Sequence, residues 1–192
     1  MVHDVLIIGG GLAGLVSALG LARAGLKVVL VEKKTYPFHK VCGEYISNEV
    51  LPYLRRLNVD ISLLKPARIN RFQLTSPTGK SLEAGLDLGG FGLSRYTLDN
   101  HLYELAEQAG VQFILQKTVR DVSFADETFT AELSGGDTVQ ARVAVGAYGK
   151  RSNLDRQLSR RFFQNRSPYI GVKYHVKYDF CLLYTSPSPR DS

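Results

Sequence analysis

The residues Gly9-Gly10-Gly11-Leu12-Ala13-Gly14 stand directly after a short apolar run, Val5 to Ile8, and their G-x-G-x-x-G spacing leaves few folds open to the chain. A buried strand that ends in such a turn predicts a helix at once. We place it over Leu12 to Ala24, with Ala13, Ser17, Leu21 and Ala24 facing inward and Gly25 as its cap. Gly9 is expected to permit the tight turn, Gly11 to let backbone approach a pyrophosphate, and Gly14 to bring the helix close to the sheet. Lys27 to Val31 reads as a second, parallel strand. Glu32 then follows Gly14 by 18 positions (32 minus 14), about where a carboxylate would accept hydrogen bonds from ribose hydroxyls and repel a 2′-phosphate. Strand, turn, helix, strand and acid in this register predict an α/β fold with a Rossmann-like parallel sheet and a site for FAD or NAD.

Composition narrows the class. With 192 residues, the chain has room for one domain and part of another, and 44% hydrophobic and 22% charged residues are ordinary for a globular protein. No stretch reaches the roughly 18 apolar residues of a membrane span, and Met1-Val2-His3-Asp4 lacks a basic signal-peptide start, so a cytoplasmic protein with no integral membrane segment is expected. The formal net charge of +6 is partly concentrated in Lys150, Arg151, Arg156, Arg160, Arg161 and Arg166. Without interleaved stacking aromatics or a helix-turn-helix pattern, this segment reads as a solvated face or a contact for an anionic cofactor, not as a nucleic-acid site. Two distant cysteines and four scattered histidines lack the spacing of a metal site or a disulfide framework.

Past Glu32, Tyr36-Pro37-Phe38 breaks the strand and starts a loop at its ligand-facing edge. Val41 to Ser47 leads to a helix over Asn48 to Leu57, capped by Ser47 or Asn48. Asn70 to Ser76 and Ser81 to Leu86 flank Pro77-Thr78-Gly79-Lys80 as a hairpin, and Leu88 to Arg95 reads as a glycine-rich connection. Leu98, Leu102, Leu105, Ala106 and Ala109 have helical spacing and Gly110 ends that helix. Val111 to Leu115 is a further strand. Val119 to Phe124, Phe129 to Leu133 and Val139 to Val145 form an antiparallel meander that returns the chain to the parallel sheet. Tyr169 to Tyr178 alternates again, with Ile170, Val172, Tyr174 and Val176 on one face, as the start of a substrate-domain sheet. Cys181 to Ser192 resembles a translated sequencing adapter and is expected to be a scar on an N-terminal fragment.

Four signatures in one order resemble the flavoprotein superfamily of para-hydroxybenzoate hydroxylase, geranylgeranyl reductases and flavin-dependent halogenases. They are the Gly9 to Glu32 fingerprint, Lys40-Val41-Cys42-Gly43-Glu44, the stretch Arg95 to Leu102, and Gly146-Ala147-Tyr148-Gly149 with Ser152. The resemblance implies FAD, with NAD(P)H as a transient reductant. It implies cofactor contacts from Gly9, Gly10, Gly11, Leu12, Ala13, Gly14, Glu32, Lys33, Cys42, Arg95, Val119, Ala147, Tyr148 and Gly149. It further implies an FAD-binding domain in two parts, 1–69 and 95–155, a hairpin at 70–94 in or beside a substrate domain, and the start of that domain at 156–180. Tyr148 stands where the family's fourth motif carries aspartate. The family's glycine-aspartate motif falls beyond residue 180, so this chain is expected to hold FAD weakly.

Cys42, Glu44 and Lys40 are the candidate catalytic residues. Cys42 would border the flavin, either as a weak donor or as a small residue that fits. Glu44 would bond cofactor or substrate, or else cap the Asn48 helix, and Lys40 would steady negative charge or lie in solvent. His39 and His101 are given surface or helix-packing roles. The expected parent is an FAD-dependent oxidoreductase acting on a small molecule that is aromatic, polyene or isoprenoid, as a monooxygenase or a geranylgeranyl-reductase-like enzyme. A lipophilic substrate would allow peripheral membrane association. The alternatives are a halogenase-like enzyme or a non-catalytic dinucleotide-binding module with a basic nucleic-acid segment.

Overall fold

Val5 to Ile8 are apolar and nearly solvent-free, and the strand they end, β1 (Val2–Ile8), is the centre of a computed structural model that describes residues 2–149, 152–160 and 172. The chain leaves β1 at the glycine turn, forms α1 (Leu12–Arg23), and returns as β2 (Val28–Glu32), whose five residues are all buried. Pairing of Val5 to Ile8 with Val28 to Val31 is parallel, as the crossover helix requires. Gly25, at φ +86, and Leu26 close α1 by donating to the carbonyls of Ala22 and Leu21, which satisfies two orphan helix-end acceptors.

The expected inward stripe of α1 is displaced. Gly14, Leu15, Ala18 and Leu19 are buried, whereas Ala13 and Ala24 are exposed and Ser17 and Leu21 are intermediate. Nearly every position of α1 is small or apolar, so periodicity leaves its rotation open and the close fit of Gly14 decides it.

The described residues divide into two compact units, 2–38 with 99–149 and 152–160, and 39–98 with 172. The segment boundaries expected at 69/70 and 94/95 both fall within the second. The first unit holds one mixed sheet built from β1, β2, β6 (Gln112–Leu115), β7 (Val119–Ala125), β8 (Thr128–Leu133) and β9 (Thr138–Gly146), in the order β6-β2-β1-β9-β8-β7. β9 runs parallel to β1, and the antiparallel meander is thus continuous with the parallel sheet. On one face Leu6, Ile8, Val29 and Val31 pack with Val119, Ala131, Leu133, Val139, Ala141 and Leu154, the last from the short helix α4 (Asn153–Gln157). By the alternation of strands, Ile7, Val28 and Leu30 face the other way, the side that α1 covers with Leu15, Ala18 and Leu19.

The second unit holds β3 (Tyr45–Ser47), β4 (Ala67–Thr75) and β5 (Ser81–Gly92) in one sheet of order β3-β5-β4, together with α2 (Leu51–Arg56). Two expectations change here. Tyr45–Ser47 is strand ahead of the helix, which opens with a 3₁₀ turn at Asn48–Val50 whose Glu49 amide donates to the Ser47 hydroxyl at 3.4 Å. The glycine-rich connection is also strand, because β5 runs for 12 residues and continues through Gly89 and Gly90. Glycine there serves close contact, since a Cβ on Gly90 would sit against the Tyr45 ring and 2.6 Å from the Ile46 carbonyl oxygen. The predicted helix after it is α3 (Arg95–Gln108), closed at Gly110 with φ +92. Tyr169 to Tyr178, apart from Val172, and Cys181 to Ser192 lie outside the described residues.

Candidate dinucleotide site

In the first unit the glycine turn is built by collisions that only glycine avoids. A Cβ on Gly9 (φ +106) would lie 2.6 Å from the Ala147 carbonyl oxygen, and one on Gly14 would strike the carbonyl oxygen of Gly9. Gly14 therefore sets how closely α1 approaches the end of β1, the role the spacing predicted. Gly11 caps α1 at φ −80, ψ −175 with no side-chain bond to the helix, so no side chain of the cap residue covers the first-turn amides.

Glu32 ends β2 at 7% exposure. Its Oε2 accepts from the Gly10 amide at 2.7 Å and its Oε1 from the Lys34 amide at 3.1 Å. These bonds hold the carboxylate beside the glycine turn. A carboxylate has about four acceptor sites, which leaves capacity for ribose hydroxyls. Leu12 is half-buried, while Ala13 and Lys33 are exposed on the same end of the unit.

The loop after β9 meets this turn from the other side: the Ala147 amide donates to the Ile8 carbonyl at 2.8 Å. Tyr148 contributes its backbone there, because its Cα would lie 2.6 Å from a Cβ on Gly9. Its ring packs against the core cluster, and its hydroxyl donates to Oδ1 of Asp155, 3% exposed, at 3.1 Å. Burial first, then this bond and the Asp155 charge, push the Tyr148 phenol above its ordinary pKa of 10.0. Gly149 is exposed at φ +75. Val119 is buried in the same core cluster and pairs with Leu133 of β8, so its side chain is turned into the core and not toward a ligand. Of the basic segment, Arg156 is exposed with its guanidinium on Asn153 at 3.2 Å; Lys150, Arg151, Arg161 and Arg166 lie outside the described residues.

Sequence reasoning missed one group in this unit. Tyr36 stacks on Tyr103 (centroids 4.6 Å, 15°), Phe113 meets both rings edge-on, and the Tyr36 hydroxyl donates to the Gly10 carbonyl at 2.6 Å. The three aromatics come from a loop, α3 and β6, and no local spacing links them.

In the second unit, the Lys40 to Glu44 stretch is organised by Glu44. Its φ of +60 is a sparsely populated conformation for a side chain larger than glycine. Among the contacts that hold it there, its amide donates to Cys42 Sγ at 3.4 Å, its carbonyl accepts from Leu93 N at 3.1 Å, and its Oε1 accepts from the Arg95 amide at 3.1 Å. Glu44 thus caps α3 and not the Asn48 helix, a pairing 51 residues apart in sequence. Cys42 is a half-buried free thiol, Lys40 is half-buried, and Arg95 stands half-buried in the first turn of α3. His39 is exposed and stacks on Tyr96 at 4.7 Å; His101 is half-buried on α3.

A parallel βαβ unit with a glycine turn and a buried terminal acid defines the class as a dinucleotide-binding α/β protein. Comparison makes it specific: a family model described as "FAD binding domain" matches residues 2–179, and the chain belongs to that family. It is 28% identical over 180 residues to a menaquinone reductase of Mycobacterium tuberculosis, covering 90% of this chain and 44% of the relative. It is 30% identical over 162 residues to digeranylgeranylglycerophospholipid reductase 1 of Methanosphaera stadtmanae, covering 81% and 40%. A crystal structure of the halogenase PltM in complex with phloroglucinol and FAD superposes with a TM-score of 0.68 at 24% identity, covering 82% of this chain and 36% of that one. The chain thus spans less than half the length of these relatives. Among the described residues no helix is long and apolar enough to cross a membrane.

Proposed function

We propose that this chain is the adenine-dinucleotide half of an FAD-dependent oxidoreductase that reduces an isoprenoid carbon–carbon double bond. The observation that carries the reading is Glu32, buried at the end of β2 and bonded to the Gly10 amide, next to a helix start whose cap brings no side chain. The arrangement fits an ADP moiety: first-turn amides of α1 toward the phosphates, Glu32 toward the ribose, and the backbone of Ala147 to Gly149 along the pyrophosphate. Bound FAD would supply two-electron redox chemistry, with NAD(P)H as the reductant and a proton from solvent completing the addition of hydrogen. Arg95 would present a fork of donors to flavin or phosphate oxygens, and Cys42 would border the flavin. Glu44, bonded to the Arg95 amide, would hold both in place. Lys40 would steady negative charge at the reacting end.

Reduction is preferred to hydroxylation because the two relatives named above are reductases, and both menaquinone and digeranylgeranyl lipids carry isoprenoid chains. Halogenation is the second reading, favoured by the likeness of fold to PltM. The test uses a full-length protein that carries this chain. Purified, it should be yellow, bleach anaerobically with NADPH, and add hydrogen across a prenyl double bond by mass spectrometry. Incorporation of oxygen or halogen would move the assignment to the other branches, and a colourless protein that shifts labelled RNA would support a nucleic-acid module.

A further inference from the structure

The glycine turn has a polar anchor that the spacing does not explain. Gly10 is fixed on both sides: its amide donates to Glu32 Oε2 at 2.7 Å and its carbonyl accepts the Tyr36 hydroxyl at 2.6 Å. Both partners come from the end of β2 and the loop just after it. The Tyr36 hydroxyl occupies the place a Cβ on residue 10 would fill, so in this chain glycine at position 10 makes room for a tyrosine. Tyr36 is itself held, stacked on Tyr103 of α3 and edge-on to Phe113 of β6. Gly11, the next residue, is the cap of α1, so the peptide planes around Gly10 set where the first-turn amides point.

We infer that Tyr36 is a positioning residue for the nucleotide site. It acts through Gly10, fixing the turn so that the α1 amides and the Glu32 carboxylate are set before ligand arrives. The inference rests on the dinucleotide reading above.

The test is ADP binding by the whole chain, measured by calorimetry, with urea unfolding run in parallel. Tyr36→Phe keeps the ring stack and removes only the hydroxyl. It should weaken ADP binding by about five- to tenfold, because the ligand must then order a turn that is no longer pre-set, while the unfolding midpoint falls by no more than the loss of one hydrogen bond allows and the chain stays folded under the binding conditions. A second pair guards against misfolding: Gly10→Ala should cost far more ADP affinity with Tyr36 present than in a Tyr36→Leu background, where the colliding hydroxyl is gone. ADP binding by Tyr36→Phe equal to that of the unaltered chain would overturn the positioning role and leave the dinucleotide reading standing. So would a loss that merely follows unfolding, or an equal Gly10→Ala cost in both backgrounds. No ADP binding by the unaltered chain would overturn the dinucleotide reading and, with it, this role.

Discussion

Asp155 is buried at 3% exposure and receives the Tyr148 hydroxyl at 3.1 Å, which ties the loop after β9 to α4. Tyr148→Phe would leave that acceptor without this donor in a low-dielectric setting, and urea unfolding at neutral pH should show a loss of about 1–3 kcal/mol. The same contact has a pH signature. Burial and Asp155 raise the folded-state pKa of Tyr148 above 10.0. Its contribution is therefore complete below pH 10 and lost as pH climbs through the folded value. Tyr103, raised chiefly by its bond to Glu107, adds to the same alkaline limb. Unfolding free energy measured from about pH 8 to about pH 11.5, across the ordinary tyrosine range, should fall less steeply in Tyr148→Phe than in the unaltered chain. A second substitution addresses the turn: Gly14→Val sets a branched side chain against the Gly9 carbonyl and should abolish ADP binding while lowering the unfolding midpoint.

Elements differ in how firmly they are held. β2 is buried along its length and Leu30 is fully enclosed, so Leu30→Ala should cost about 2–5 kcal/mol in urea unfolding. The β4–β5 ribbon is the opposite case. Phe72 and Leu74 pair with Ala84 and Leu82 on one face, and three of these, Phe72, Leu74 and Leu82, are about half or more exposed. The other face carries Arg71, Gln73 and Glu83, with Arg71 and Glu83 3.8 Å apart. Phe72→Ser with Leu82→Ser should therefore change stability by less than about 0.5 kcal/mol per site. Light scattering of the double variant should show less self-association, because the exposed strand face is a template for aggregation. An equal stability loss for Leu30→Ala and the double serine variant would contradict this ranking.

At the scale of the whole molecule, the order of elements was legible apart from β3 and the far end of β5, and their rotations and partners were not. Apolar runs marked β1 and β2, period-2 alternation marked the β7 to β9 meander, and Gly25 and Gly110 ended the two long helices where expected, because each signal is local. Within the fingerprint, the positions of Gly9, Gly14 and Glu32 could be read because backbone collisions and a strand end act over a few residues. Sequence could not orient α1, a helix apolar on nearly all sides. Nor could it reveal that Leu88, Gly89 and Gly90 belong to β5, where Gly90 pairs with Ser47 of β3 from a distant part of the chain. What the sequence alone determined is the βαβ unit with its glycine turn and terminal acid, because neighbours in the chain create those constraints. Only the tertiary structure decided that Glu44 caps α3, that Tyr148 turns to Asp155, and that Tyr36 fills the space beside Gly10. Each of these joins a side chain to a partner across the fold, and the contact exists only once packing has brought the two segments together.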